Sequence, residues 1–223
     1  MVTLHSSTHD GQILVRQTIV EAVRSLAALG LNRGTSGNVG VRLESSFLVT
    51  PSGVPAEDLL PDALVEMDYH GAILGGGKPS SEWRIHRDIL VARAEMGAVV
   101  HTHSPYATTL ACLHREVPAF HYMIAAAGGE SIRCTPYALF GSQELSDLAL
   151  QALADRKACL LGNHGMLALG LDLRAAMALA VEVESLCEQY WSALQLGEPK
   201  LLSKGQMKAV MERFKTYGQR GGD

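Results

Sequence analysis

The sequence predicts one α/β domain spanning residues 1–223, in which a central sheet of short strands is covered by helices on both sides. Three observations predict it. Amphipathic stretches at helical spacing are interleaved with short apolar runs of strand length. Clusters of Gly, Ser, Thr, Asn and Pro separate them. A chain of 223 residues with 47% hydrophobic content can also bury one sizeable core, and no internal repeat or low-complexity linker divides it.

In chain order, Ile13, Val15, Ile19, Val20, Val23, Leu26 and Ala27 recur near helical spacing, so a helix over 13–29 is expected, stopped by Gly30. The turn formers of Asn32–Asn38 then feed a hairpin of two strands, Val39–Leu43 and Phe47–Thr50. Ala63–Met67 reads as a third strand, and Gly75–Pro79 as a flexible lead into a helix from about Glu82 to Arg93. Ala98–His103 alternates as a buried strand does, and Pro105 suits the first turn of a helix reaching about Leu113. Ala158–Leu161 is a strand ahead of the turn Gly162-Asn163-His164-Gly165, and Leu173–Leu196 is a long helix apolar on most faces. The last stretch, Lys204–Tyr217, carries Met207, Val210, Met211 and Phe214 at helical spacing, a tail of the kind that docks on a neighbour.

Composition narrows the function. The formal net charge is -4, and no run of Lys or Arg forms a stripe that could track a phosphate backbone, so nucleic acid is not an expected partner. Cys112, Cys134, Cys159 and Cys187 are widely spaced, which suggests neither a zinc knuckle nor a disulfide framework and fits a reducing cytoplasm. The start of the chain has no basic segment followed by an apolar one, and no apolar run approaches the roughly 20 residues of a membrane span, so neither secretion nor a membrane is expected.

The chemistry centres on His101-Thr102-His103. On an extended segment, residues two apart project from the same face about 6.5 to 7 Å apart, which suits two ligands of one ion. Three protein ligands with an open position is the pattern of catalytic zinc, and of the remaining histidines His164 is the best third ligand, because Gly162 and Gly165 permit close backbone approach. His5, His9, His70, His86, His114 and His121 read as surface or hydrogen-bonded residues without a metal role. Three polar loops are each equipped for an anion: Gly34-Thr35-Ser36-Gly37-Asn38, Thr50-Pro51-Ser52-Gly53, and Ser80-Ser81 at a helix N-terminus, where unpaired N–H groups favour phosphate. Taken singly, each loop is also an ordinary turn or cap. None follows the P-loop or dinucleotide pattern, so a nucleotide is not indicated.

In this order, the strings GTSGNV, VTPSG, PSSEWRIH, AVVHTHSPYA, FHYMIAAAGG and LLGNHG resemble the class II aldolase and epimerase family of sugar phosphates, over nearly the whole chain. HYMIAAAGGESI, TPYALFGSQELS and RFKTYG are similar to its L-fuculose-1-phosphate aldolase branch. The resemblance implies a mixed, mainly antiparallel sheet and a cyclic homotetramer with active sites at subunit interfaces. It also implies a zinc enzyme that reversibly cleaves a ketose 1-phosphate such as L-fuculose 1-phosphate into dihydroxyacetone phosphate and L-lactaldehyde, through a metal-stabilised enediolate. Carried over, His101, His103 and His164 match the zinc ligands, and Glu82 matches the acidic residue that touches the metal and moves the proton. Asn38, Ser52, Gly53, Ser80 and Ser81 match the phosphate site. Tyr122 and Tyr217 match aromatic residues supplied by an adjoining subunit, Tyr122 as proton donor on the aldehyde side. Ser52 stands where the branch commonly has Thr, and Ser36 where it often has Ala. Cobalt or manganese could replace zinc on three imidazoles. An epimerase of ribulose 5-phosphate type and a sugar-phosphate dehydratase share the fold, and a non-catalytic scaffold would be marked by lost ligands.

Overall fold

The computed structural model describes residues 9–215, so Tyr217 lies outside the described residues. Helix α1 (His9–Ala28) leads through the Asn32–Gly37 loop into a hairpin of β1 (Asn38–Arg42) and β2 (Ser46–Val49). A short 3-10 turn at Pro61–Ala63 precedes β3 (Val65–Asp68) and β4 (Ile73–Gly75). Next come α2 (Trp83–Ala92), β5 (Ala98–Thr102) and α3 (Pro105–Cys112). A 3-10 segment at Tyr122–Ala127 and β6 (Arg133–Cys134) follow, then α4 (Gln143–Ala152), β7 (Ala158–Leu161), β8 (Gly165–Gly170), α5 (Leu173–Leu196) and α6 (Lys204–Phe214).

The eight strands form one sheet in the order β4-β3-β2-β1-β5-β8-β7-β6. Neighbours pair antiparallel throughout except β6 with β7, so the expected mixed, mainly antiparallel sheet is what the chain forms. Strand alternation divides the core. Val39, Leu48, Ala98, Val100, Leu160, Met166 and Ala168 pack against α1, α3, α5 and α6, while Phe47, Val49, Val99, Cys159, Leu161 and Leu167 pack against α2 and α4. Helices therefore cover both faces, as predicted. Among the described residues no helix is long and apolar enough to cross a membrane, and all four cysteines are free thiols.

Several local expectations are corrected. Gly75, the first residue of the stretch read as a flexible lead, is the last residue of β4, a strand that was not expected and that pairs with β3. Ala63 closes a 3-10 turn begun by Pro61, whose fixed φ suits that position, so β3 starts only at Val65. Glu82 is the N-cap of α2 rather than its first turn, and His103 lies one residue beyond the end of β5.

Two side chains, part-buried Arg42 and buried Glu184, fix the elements that carry the site. Arg42 on β1 reaches the C-terminal end of α2, donating from Nε to Met96 O at 2.8 Å and from its guanidinium to Leu90 O and Arg93 O. It satisfies carbonyls that a helix end leaves unpaired. Glu184 on α5 does the converse for α3, its carboxylate accepting from Tyr106 N at 2.8 Å and Ala107 N at 2.9 Å. A negative charge on a helix N-terminus is favourable, and this one anchors the chain three and four residues beyond His103.

Candidate metal centre

Four side chains converge where β5, the β7–β8 turn and the start of α2 meet. One donor atom from each of Glu82, His101, His103 and His164 lies within 4.8 Å of the others. The three imidazoles form a propeller, each pair of ring centroids 4.8 Å apart with interplanar angles of 74°, 75° and 77°. His101 Nε2 faces His103 Nε2 at 3.0 Å and Glu82 Oε2 at 3.2 Å, and His164 Nε2 is 3.2 Å from Glu82 Oε1. Ligands about 2.0 to 2.1 Å from a tetrahedral ion lie about 3.3 Å from one another, so these spacings suit a shared cation.

Backbone geometry produces this convergence. His101 is opposite Asn38 of β1 and Leu167 of β8 in the antiparallel ladder, at the buried centre of the sheet. The three-residue turn between β7 and β8 carries Asn163 with φ +54° and points His164 back at the cluster. Gly165 is required there, since a Cβ would come within 2.3 Å of Thr102 O and 3.0 Å of the His103 ring. Outside the cluster, His101 Nδ1 donates to Met166 O at 2.9 Å, which orients the ring and aims Nε2 inward. The His103 backbone N–H donates to Asn32 Oδ1 at 3.0 Å.

Electrostatics fit a cation. Burial would raise the Glu82 carboxyl, but the charge and hydrogen bond of His101, the charge of His164 and the Asn38 amide outweigh it and hold the group well below the usual carboxylate range. Burial, reinforced by His101, presses His103 and His164 down to about 4, so both are neutral near pH 7 and offer lone pairs. Burial also opposes charge on His101, but the adjacent Glu82 carboxylate more than offsets it and raises that group. Glu82 Oε1 is buried without a hydrogen-bond partner. An ionised, orphaned carboxylate oxygen facing three imidazoles is costly unless a cation completes it, so the donor set fits a bound divalent metal.

The proposed anion loops meet the same centre. A cleft of about 350 Å³ is lined on one side by Asn38, Ser52, Gly53, Ser80 and Ser81 and at its floor by Glu82, His103 and His164. Among the described residues its lining contains no lysine or arginine. What these loops offer an anion is neutral donors and the N-terminus of α2. The lining also includes a largely apolar rim, Tyr137, Ala138 and Phe140, on the loop before α4. Tyr137 and Phe140 are largely exposed, at 57% and 62%. Tyr122 does not line this cleft. It lies half-exposed against Phe214, with ring centroids 6.5 Å apart, beside a separate hollow of about 710 Å³.

Sequence reading missed the residues behind the cluster. His86, set aside as having no metal role, is fully buried and holds Asn38, which in turn holds Glu82. Its four-residue spacing from Glu82 was the available signal. Asn32 carried no motif of its own, and Tyr137–Phe140 lay within the string TPYALFGSQELS without a role assigned to them.

Comparison with known proteins agrees with this geometry. Residues 17–191 match the family described as Class II Aldolase and Adducin N-terminal domain. The chain is 55% identical to a 5-methylthioribulose-1-phosphate/5-deoxyribulose-1-phosphate aldolase of Rhodospirillum rubrum, covering 93% of this chain and 94% of the relative. It is 46% identical to the L-fuculose phosphate aldolase of Escherichia coli K12, covering 93% and 96%. Among solved structures, an L-fuculose 1-phosphate aldolase superposes with a TM-score of 0.89 at 36% identity, over 95% of this chain and 99% of that one.

Proposed function

The chain belongs to the class II aldolase family, whose enzymes are metal-dependent lyases, and we propose that it reversibly cleaves a ketose 1-phosphate into dihydroxyacetone phosphate and a short aldehyde. The observation that carries this reading is a single cleft joining a four-donor metal centre to three anion-receiving loops. The retention of all four donors argues against a non-catalytic role. Zinc is the proposed ion, held by His101, His103 and His164 with Glu82 as its fourth, exchangeable contact.

A divalent cation bound there supplies the electrophile that disperses negative charge on a ketone as the adjacent carbon-carbon bond breaks. Ser80, Ser81, Asn38, Ser52 and Gly53 are the proposed phosphate site. They hold one end of the substrate so that its carbonyl faces the histidines. Breaking the C3–C4 bond leaves its electron pair on C3, and Glu82 is the group placed to return a proton there, or to remove it in the condensation direction. A carboxylate held below its usual range is a feeble base, so Glu82 must gain basicity as substrate enters, and moving away from the histidine nitrogens does this. Tyr122 of a neighbouring copy, in a homotetramer, is the proposed proton donor on the aldehyde oxygen, with Tyr217 beside it. The whole of 1–223 is taken as one cytoplasmic domain.

The apolar rim favours the aldehyde fragment with fewer hydroxyls. Cleavage of 5-methylthioribulose 1-phosphate or 5-deoxyribulose 1-phosphate leaves an aldehyde whose far end is a thioether or a methyl group, whereas L-fuculose 1-phosphate leaves one bearing a hydroxyl beside the carbonyl. One apolar group in such a pocket is worth about 10- to 200-fold in kcat/KM. We therefore place the 5-deoxy and 5-methylthio substrates ahead of L-fuculose 1-phosphate. Assaying the zinc-loaded protein with all three, and with L-ribulose 5-phosphate scored for epimerisation, tests this. Epimerisation without cleavage would overturn the aldolase reading.

The phosphate site has its own test. Changing Ser80 and Ser81 together to Ala should weaken dihydroxyacetone phosphate binding by about tenfold or more, since hydrogen bonds to a charged group contribute about 1.5–3 kcal/mol. Zinc content should stay at the wild-type level. Normal binding by the double variant would show that the phosphate sits elsewhere.

A further inference from the structure

We propose that His86 is a positioning residue for Glu82, acting through Asn38. The inference rests on Glu82 being the group that moves the carbon-bound proton. Glu82 and His86 are one turn apart at the start of α2, and Asn38 and Gly40 are two apart on β1, so each pair faces the other across the helix–sheet interface. The space for the imidazole exists because position 40 is glycine: a Cβ there would come within 2.4 Å of His86 Nδ1. Hydrogen-bond direction along the chain is settled by chemistry. Ionised Glu82 only accepts, so the Asn38 amide nitrogen must face it, and Nδ2 donates to Glu82 Oε2 at 2.9 Å. Asn38 Oδ1 then faces His86 Nε2, which must carry the proton and donate.

His86 is fully buried, and its other nitrogen, Nδ1, has no hydrogen-bond partner. Burial pushes its pKa down to about 3, so the ring stays neutral and keeps one donor. A buried imidazole with one unsatisfied nitrogen packs less well than a phenyl ring would, which marks the Nε2 donor as its contribution. Both polar ends of Asn38 are engaged by the relay, leaving one amide hydrogen for a phosphate oxygen. With the amide locked, Glu82 is held by Oε2, and Oε1 is left facing His164 Nε2 at 3.2 Å.

The test uses the full-length zinc protein. Dihydroxyacetone phosphate in deuterium oxide reports carbon-bound proton exchange, and competition with a chromophoric chelator reports zinc affinity. His86→Phe keeps an aromatic ring, a somewhat larger one, and removes the donor, and should slow exchange by about 10- to 100-fold, the usual cost of losing an outer-shell partner, with the KM for dihydroxyacetone phosphate changed far less than kcat. His86→Gln restores an amide donor and should recover most of the rate. Combined with Asn38→Ala, His86→Phe should cost little further, because the two act in series. Equal impairment in Phe and Gln variants, or wild-type exchange and zinc affinity in His86→Phe, would overturn the relay. Wild-type protein that exchanges no proton would instead overturn the aldolase reading. Imidazole ¹⁵N shifts in unaltered protein give a check independent of folding: they should show a neutral ring protonated at Nε2, and protonation at Nδ1 would refute the relay.

Discussion

Glu82→Gln should leave the three-histidine centre loaded with metal and slow carbon-bound proton exchange in dihydroxyacetone phosphate by about 10²- to 10⁴-fold, the range expected for loss of a positioned general base. Glutamine matches glutamate in size and can still accept from Asn38, so the N-cap of α2 and its packing are retained. It removes the ionised oxygen now buried without a partner. Metal analysis and exchange measured on the same sample separate the two roles of this side chain. Unchanged exchange would exclude Glu82 as the base. Loss of metal together with exchange would make it first a ligand.

His103→Ala should instead empty the centre. This residue is only partly buried, and the hydrogen bond that fixes its backbone, to Asn32, survives the substitution. The fold should therefore persist while zinc affinity falls by more than the roughly 100-fold that losing an outer-shell partner costs, and cleavage falls with it. Added imidazole, which can fill the vacated ligand position, should restore part of both. A variant that keeps stoichiometric zinc after dialysis against a chelator would show that His101, His164 and Glu82 suffice.

The features legible in the sequence were those with a local period or a chemical identity. Alternation over Ala98–His103 placed two imidazoles on one face, and the glycines around His164 marked a turn tight enough to bring in a third. The apolar spacing of α1 marked Ile19, Val20 and Leu26 as buried, although Ile13 and Ala27 of the same series are exposed. The residues missed depend on long-range register. His86 looks like any histidine on an amphipathic helix until β1 is laid against α2 and Gly40 opens the slot that receives its ring. Strand β6 has two residues, too short for any period to register, and β4 hides beside a glycine run. Helix α4 carries Leu145, Ala149 and Ala152 on one buried face, a helical spacing that the string reading of TPYALFGSQELS passed over. The Tyr137–Phe140 rim is an exposed loop whose importance comes only from the cleft it overhangs.

The proposed anion side of that cleft is built, among the described residues, without a lysine or arginine. On the proposed assignment no cationic side chain holds the phosphate, so apart from the metal its grip comes from oriented dipoles at contact distance, and such short-range forces are little affected by a Debye length of about 10 Å at 0.1 M salt. With a formal net charge of -4 the chain does not draw anions in from a distance. The enzyme would meet its substrate by ordinary diffusion, and its saturation by a sugar phosphate would hold nearly constant as ionic strength rises.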